Sequence, residues 1–141
     1  VDSRIVSSIG RGLCVLIGLT TQDAENDIDF IIRKLLNLRI FQDPANGKKW
    51  DKSVLDLNLE ILCISQFTLC ATLKGNKPDY HLAMEPEKAK EFYEQFLTAL
   101  KERYRADLIQ DGLFGAYMQV SIENDGPVTI NIDSRSKSNG D

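Results

Sequence analysis

Two short stretches of this chain could do chemistry. Ser65-Gln66-Phe67-Thr68-Leu69 places two hydroxyls and a carboxamide within four residues. Hydroxyls can attack or hydrogen-bond a reacting oxygen, and a carboxamide both donates and accepts. Asn124-Asp125-Gly126-Pro127-Val128-Thr129 sets a Gly-Pro pair just ahead of an alternating run, Val128, Ile130 and Ile132 against Thr129 and Asn131. An ordinary hairpin needs only Asn-Gly or Asp-Gly, and proline cannot donate a ladder hydrogen bond. Pattern alone leaves blander readings open: a half-buried strand whose hydroxyls bond their neighbours, and a plain turn.

Other chemistries are constrained by what the chain lacks. His81 is the single histidine, so no metal site can be built on imidazoles, and a Ser-His-Asp triad would have to use His81 itself. The three cysteines, Cys14, Cys63 and Cys70, sit in apolar stretches without zinc-knuckle spacing and read as buried reduced thiols of a cytoplasmic protein. No metal and no cofactor is expected. A net charge of −4 argues against a general nucleic-acid binder. It leaves room for a local basic patch from Lys48 and Lys49, or from Lys74 and Lys77. No apolar run approaches the roughly 18 residues of a membrane span, and no membrane partner is expected. The chain begins at Val1 with no legible signal peptide.

The elements that must position these residues follow from periodicity. The 141 residues fit one domain, expected over 1–133, with a disordered tail over 134–141. Ile5 to Ile9 and Leu13 to Leu19 read as strands around a Gly10-Arg11-Gly12 turn. Ile28, Ile31, Ile32, Leu35 and Leu38 have helical spacing, with Thr21 or Asp23 as N-cap. A short strand and turn-rich loop lead to a long strand, Glu60 to Leu73, with Ser65, Phe67 and Leu69 on one face. Pro86 opens a second helix with Ala89, Phe92, Tyr93, Phe96, Leu97, Leu100 and Tyr104 along its apolar face. Two last strands are expected, Ala116 to Glu123 and Val128 to Asp133. This order predicts an α+β fold, an antiparallel or mixed sheet covered by two helices.

Together the two stretches resemble the two signature motifs of the D-aminoacyl-tRNA deacylases. The resemblance continues through "IGRGLCVLIGL", "KLLNLRIF", "LKGNKPDYHLAM" and "FGAYMQVSIENDGPVTI", and so covers almost all of residues 5 to 132. It implies a homodimer with a barrel-like antiparallel core and two helices packed outside. The implied activity is hydrolysis of the ester between a D-amino acid, or mischarged glycine, and the 3′ end of tRNA. It further implies that Gly126-Pro127 is a cis peptide and enters the active site of the neighbouring subunit. Family members begin with a further strand bearing a Gln-Arg pair, whose arginine braces the Gly-Pro loop; that pair does not precede Val1, so reduced stability or activity is expected if the chain truly starts there.

On that resemblance the residues acquire roles. The carbonyls of Gly126 and Pro127 would accept from the α-ammonium of the substrate, so that a D-residue turns its hydrogen to the backbone wall and an L-residue collides. Rigid exclusion suits this task better than an apolar pocket, which discriminates by only about 1–3 kcal/mol per methylene. Ser65, Gln66, Phe67 and Thr68 would form the catalytic turn. Either the Thr68 hydroxyl attacks, although no base accompanies it, or water attacks with help from the terminal 2′-hydroxyl while backbone N–H groups near Gln66 and Phe67 hold the oxyanion. The scarcity of ionisable groups favours the second route. Phe114 and Met118 match positions near the terminal adenine, and Lys74 and Lys77 could meet phosphates of the CCA end. Two alternatives from other classes are a nucleic-acid-binding, replication-associated dimer and a dimeric scaffold without catalysis.

Overall fold

A computed structural model describes residues 1–136 and groups them into two compact units. The first comprises residues 1–23 and 60–119, the second residues 24–59 and 120 onward.

In the first unit, β1 (Gly12–Ile17), β2 (Glu60–Ser65) and β5 (Ile109–Asp111) form a three-stranded sheet in the order β1-β2-β5. Both pairings are parallel, with Gly12 opposite Glu60, Ile17 opposite Ser65 and Ile61 opposite Ile109. The central strand of a parallel sheet is covered on both faces, and Ile61, Cys63 and Ile64 of β2 are buried accordingly. Helix α3 (Pro86–Arg103) starts with Pro86 in its first turn, where a missing N–H costs nothing. Its buried residues Ala89, Tyr93, Phe96, Leu97 and Leu100 fall at i, i+4, i+7, i+8 and i+11. Tyr93 ties it to the sheet, its hydroxyl donating to the Cys63 carbonyl oxygen at 3.0 Å. A small antiparallel hairpin, β3 (Thr72–Lys74) and β4 (Lys77–Asp79), completes this unit.

The second unit contains α1 (Glu25–Asn37) and the four-residue α2 (Val54–Leu57), which contact one another. The N-cap of α1 is Ala24 rather than Thr21 or Asp23. Asp23 instead turns its carboxylate back to accept from the Thr20 N–H and hydroxyl, while Asp27 accepts from the Ala24 N–H at 2.8 Å. The buried face of α1 is Ile28, Phe30, Ile32, Leu35 and Leu36, with Ile31 and Leu38 only half-buried. Ser53 and Asp56 cap α2 reciprocally at 3.1 and 2.9 Å.

Several sequence expectations are corrected. Residues 5–9 form no strand; Ile5 is 87% exposed, and the segment is held by the Ser7 hydroxyl donating to the Asp111 carbonyl oxygen. The long strand stops at Ser65, where Gln66 (φ −141°, ψ 82°) leads into a 3₁₀ turn, Phe67–Cys70. Residues 116–133 contain no strand, because alternation supplies a face but not a ladder partner. Among the described residues the sheet closes into no barrel: β1 and β5 each pair only with β2 and remain edges. The architecture is α+β, with a parallel sheet where an antiparallel or mixed one was expected. Of the tail expected to be disordered, residues 137–141 lie outside the described residues; Arg135 sits 3.8 Å from the Asp27 carboxylate.

Candidate functional site

The first motif is a turn, and this places its groups outward. Once β2 ends, the Gln66 N–H still donates to the Ile17 carbonyl oxygen at 2.7 Å, anchoring the turn to β1. The Leu69 N–H bonds back to the Gln66 carbonyl oxygen at 3.2 Å. The amides of Phe67 and Thr68 therefore lie ahead of the first bond within the turn, as the opening N–H groups of any helical turn do. Phe67 and Leu69 are 58% and 57% exposed, which a strand in this core would not permit.

Thr68 is exposed, and its hydroxyl oxygen accepts from the Gln66 side-chain amide at 2.5 Å. An amide cannot take a proton, so this contact orients the hydroxyl without activating it. Ser65 is half-buried at the C-terminal end of β2, opposite Ile17.

The turn is joined to the lysine-bearing hairpin by an edge-to-face contact, the Phe67 and Tyr80 rings lying 5.0 Å apart at 65°. On that hairpin Asp79 accepts from His81 and sits 3.4 Å from the Lys74 ammonium. The bond from His81 and then the lysine charge hold the Asp79 carboxyl below its usual range. His81 thus serves Asp79, and among the described residues no hydroxyl bonds to it. Lys77 is exposed on β4.

Phe114 and Met118 follow β5. Phe114 is half-buried with its ring 5.7 Å from Tyr93, which makes it as much a core residue as an exposed stacking surface. Met118 accepts from the Leu113 N–H through sulfur at 3.4 Å and packs over Gly112, where a Cβ would stand 2.7 Å from Sδ and 3.0 Å from the Ile64 side chain. Met118 thereby lies across Gly112 from the side chain of Ile64, the residue that precedes Ser65 at the C-terminal end of β2.

Tyr93 and Asp111 support this end of the sheet and carried no legible motif. The Tyr93 hydroxyl directs its one proton chiefly to the Asp111 carboxylate at 2.5 Å and shares it with the Cys63 carbonyl oxygen at 3.0 Å. Burial, then the neighbouring Asp111, push the Tyr93 phenol far above its ordinary value. The same two causes push the Cys63 thiol up to about 12, so it behaves as an inert core group. Cys14 and Cys70 are half-buried, and burial raises both.

The second motif belongs to the second unit. The Gly126-Pro127 peptide is cis, and both residues are exposed. Gly126 stands at φ +128°, where L side chains are strained, and a Cβ there would lie 2.7 Å from Val128 Cγ2. Asn124 closes the loop from within: its Oδ1 accepts from the Val128 N–H at 3.0 Å, and its Nδ2 donates to the Thr129 hydroxyl at 3.0 Å. The Asn-x-x-x-Val-Thr spacing was the available signal for this brace, since Asx side chains bond nearby backbone. Among the described residues no helix is long and apolar enough to cross a membrane.

Comparison with known proteins places these motifs. A family model described as D-Tyr-tRNA(Tyr) deacylase matches residues 1–133. The chain is 57% identical over 134 residues to D-aminoacyl-tRNA deacylase 1 of Mus musculus, covering 95% of this chain and 64% of that protein. It is 58% identical over 131 residues to the D-aminoacyl-tRNA deacylase of Drosophila melanogaster, covering 93% of this chain and 82% of that one. The chain thus spans less than two thirds of the length of its mammalian relatives. A solved structure named c-Myc DNA Unwinding Element Binding Protein superposes with a TM-score of 0.87 at 57% identity, over 91% of this chain and 85% of that one. A second, a probable eukaryotic D-amino acid tRNA deacylase, shares the fold at a TM-score of 0.63 and 19% identity, over 79% of this chain and 81% of that one. The chain belongs to the D-Tyr-tRNA(Tyr) deacylase family.

Proposed function

We propose that this chain hydrolyses the ester of D-aminoacyl-tRNA, and of glycine misattached to tRNA, releasing the free amino acid and tRNA. The observation that carries this is the family match over residues 1–133, which contains both motifs intact. Residues 1–133 act as one functional module in this reading.

Water attacks the ester carbonyl carbon and the bond from that carbon to the 3′-oxygen breaks; the terminal 2′-hydroxyl relays the proton, giving its own to the leaving 3′-oxygen as it takes one from water, so that the free acid and an intact ribose diol result. Because the Gln66 N–H is bonded to the Ile17 carbonyl oxygen, the oxyanion falls to the amides of Phe67 and Thr68 rather than to those near Gln66 and Phe67, and such donors are typically worth about 10²–10³ in rate. Thr68, engaged by the amide of Gln66 rather than by a base, orients rather than attacks. Ser65 lines the same turn. Met118 and Phe114 receive the terminal adenine, and Lys74 and Lys77 the adjoining phosphates.

Gly126 and Pro127 present backbone, with no side chain in the way, to the active site of a second copy of the chain. Val120, Ile122 and Ile130, exposed and without a ladder partner among the described residues, are the surface such a copy would cover. The assembly acts on tRNA in the cytoplasm.

The test is deacylation of matched D- and L-tyrosyl-tRNA. Hydrolysis of the D-ester alone supports the reading, and equal rates or none defeat it. The solved structure named for DNA binding supports a second reading, a nucleic-acid-binding dimer. Tight duplex DNA binding without ester hydrolysis would select it.

A further inference from the structure

The segment between α1 and α2 is unused by this chemistry and holds the one tryptophan of the sequence. Trp50 is 57% exposed, and its backbone sits at φ +56°, a region that bulky residues seldom occupy. Apolar burial does not account for that conformation, and such outliers cluster where a side chain is held ready for a ligand.

The backbone around Trp50 is closely tied. Phe41 and Lys52 exchange N–H···O bonds of 2.9 Å in both directions, the Asp51 N–H reaches the Phe41 carbonyl oxygen, and the Asp43 N–H donates to the Lys48 carbonyl oxygen at 2.8 Å. The indole is therefore presented by an ordered loop.

Four cations, Arg39, Lys48, Lys49 and Lys52, stand in this loop against two carboxylates, Asp43 and Asp51, in a chain of net charge −4. Asp51 organises three of them: Arg39 at 2.9 Å, Lys48 at 3.4 Å and Lys52 at 3.7 Å; Lys52 also lies 3.8 Å from Asp43. One carboxylate gathers the array without neutralising it. An apolar protein partner would want further apolar neighbours, whereas the residues flanking Trp50 are Lys49 and Asp51. A lone outward ring among fixed cations matches a nucleobase with its flanking phosphates, because stacking tolerates any base and the cations release counterions.

We propose that this loop is a binding site for single-stranded RNA, in which Trp50 stacks on an unpaired base while Lys48, Lys49 and Arg39 contact the adjoining phosphates. The site is independent of the hydrolytic reading, since neither an ester nor a CCA end is required.

Trp50 itself reports on the test. The full chain is titrated with a single-stranded oligoribonucleotide lacking a CCA end and blocked by a 3′-phosphate, while tryptophan emission is followed. Saturable quenching is expected, with affinity falling as salt rises. With labelled RNA followed by anisotropy, Trp50→Ala should weaken binding about tenfold, within the range of base–aromatic stacking. Lys48→Glu combined with Lys49→Glu should weaken it at least as much and flatten the salt dependence. Thermal melting of each variant identifies any that fails to fold, and the lysine pair then stands in for Trp50. Absence of quenching, RNA affinity unchanged in folded Trp50→Ala, or equal quenching by polyglutamate would each overturn the assignment.

Discussion

Asn124 and Thr129 clasp the Gly126-Pro127 loop at its base, the Asn124 amide donating to the Thr129 hydroxyl at 3.0 Å while its carbonyl oxygen holds the Val128 N–H. One side chain thereby fixes both the entry to and the exit from the peptide that the proposed reaction uses as a backbone wall. Since an exposed intramolecular hydrogen bond contributes about 1 kcal/mol, two such bonds suffice to set the position of an exposed loop.

Asn124→Ala should therefore loosen the wall while sparing the fold. Selectivity for D- over L-tyrosyl-tRNA is expected to drop about tenfold, equivalent to roughly 1.4 kcal/mol, with the melting temperature nearly unchanged. Asn124→Asp keeps the acceptor for Val128 and should recover part of the selectivity. A lowered kcat/KM with an unchanged D/L ratio would assign Asn124 a purely structural part.

Gly126→Ala confronts a harder obstacle. Its Cβ would meet Val128 Cγ2 at 2.7 Å at a φ of +128°, so the loop must shift. Hydrolysis of D-esters is expected to fall by about two orders of magnitude, a loss of roughly 3 kcal/mol in transition-state stabilisation. Because the loop is exposed, urea unfolding should show a much smaller change. Wild-type rates in this variant would remove the Gly-Pro loop from the reaction.

Thr68→Ala separates attack by water from attack by the hydroxyl. With the hydroxyl tied only to the Gln66 amide, a loss of about tenfold or less is expected, consistent with removal of an orienting hydrogen bond. A substrate ending in 2′-deoxyadenosine should suffer the larger loss. Single-turnover rates that collapse by several orders of magnitude in Thr68→Ala, together with a trapped acyl-enzyme, would reverse the order.

Tyr93 makes stability depend on pH at the alkaline end. Its phenol is raised above the ordinary 10.0 in the folded chain, so above that pH the unfolded chain releases a proton that the folded one retains. The Tyr93 contribution is thus full below about pH 10 and falls as pH rises further, while that of Cys63 begins to fall earlier, from its ordinary 9.0 toward about 12. Tyr93→Phe should cost about 1–3 kcal/mol at neutral pH, by leaving the Asp111 carboxylate without its donor, and should flatten the alkaline slope. Urea titrations between pH 8 and pH 11, which read out differential proton binding, check both the offset and the slope. A slope identical to wild type would locate the alkaline sensitivity elsewhere.

Much of this was legible in the residues. Ala89, Tyr93, Phe96, Leu97 and Leu100 announced α3, and Pro86 its start, because helical contacts lie three or four residues apart. The two motifs, their order and their connecting segments are sufficient to mark the family. Local chemistry and local periodicity are written in consecutive residues and can be read there.

Tertiary structure decided what depends on distant partners. Alternation in Glu60 to Leu73 could not reveal that β2 stops at Ser65: β1 ends at Ile17, the Gln66 N–H makes the last bond to it, and the chain then turns at Gln66 into a 3₁₀ turn. Nor could it show that β2 lies parallel to both neighbours, or that Ile109–Asp111, too short for any period, completes the sheet. The same limit produced the error over residues 116–133: side-chain alternation marks a face, whereas a strand exists only where another backbone supplies the ladder. The sequence by itself determined the two motifs and the family they mark. The fold decided that Phe67 and Thr68 stand on an outward turn, since β1 ends at Ile17 and offers no ladder partner beyond it, a limit set by a segment far away in sequence.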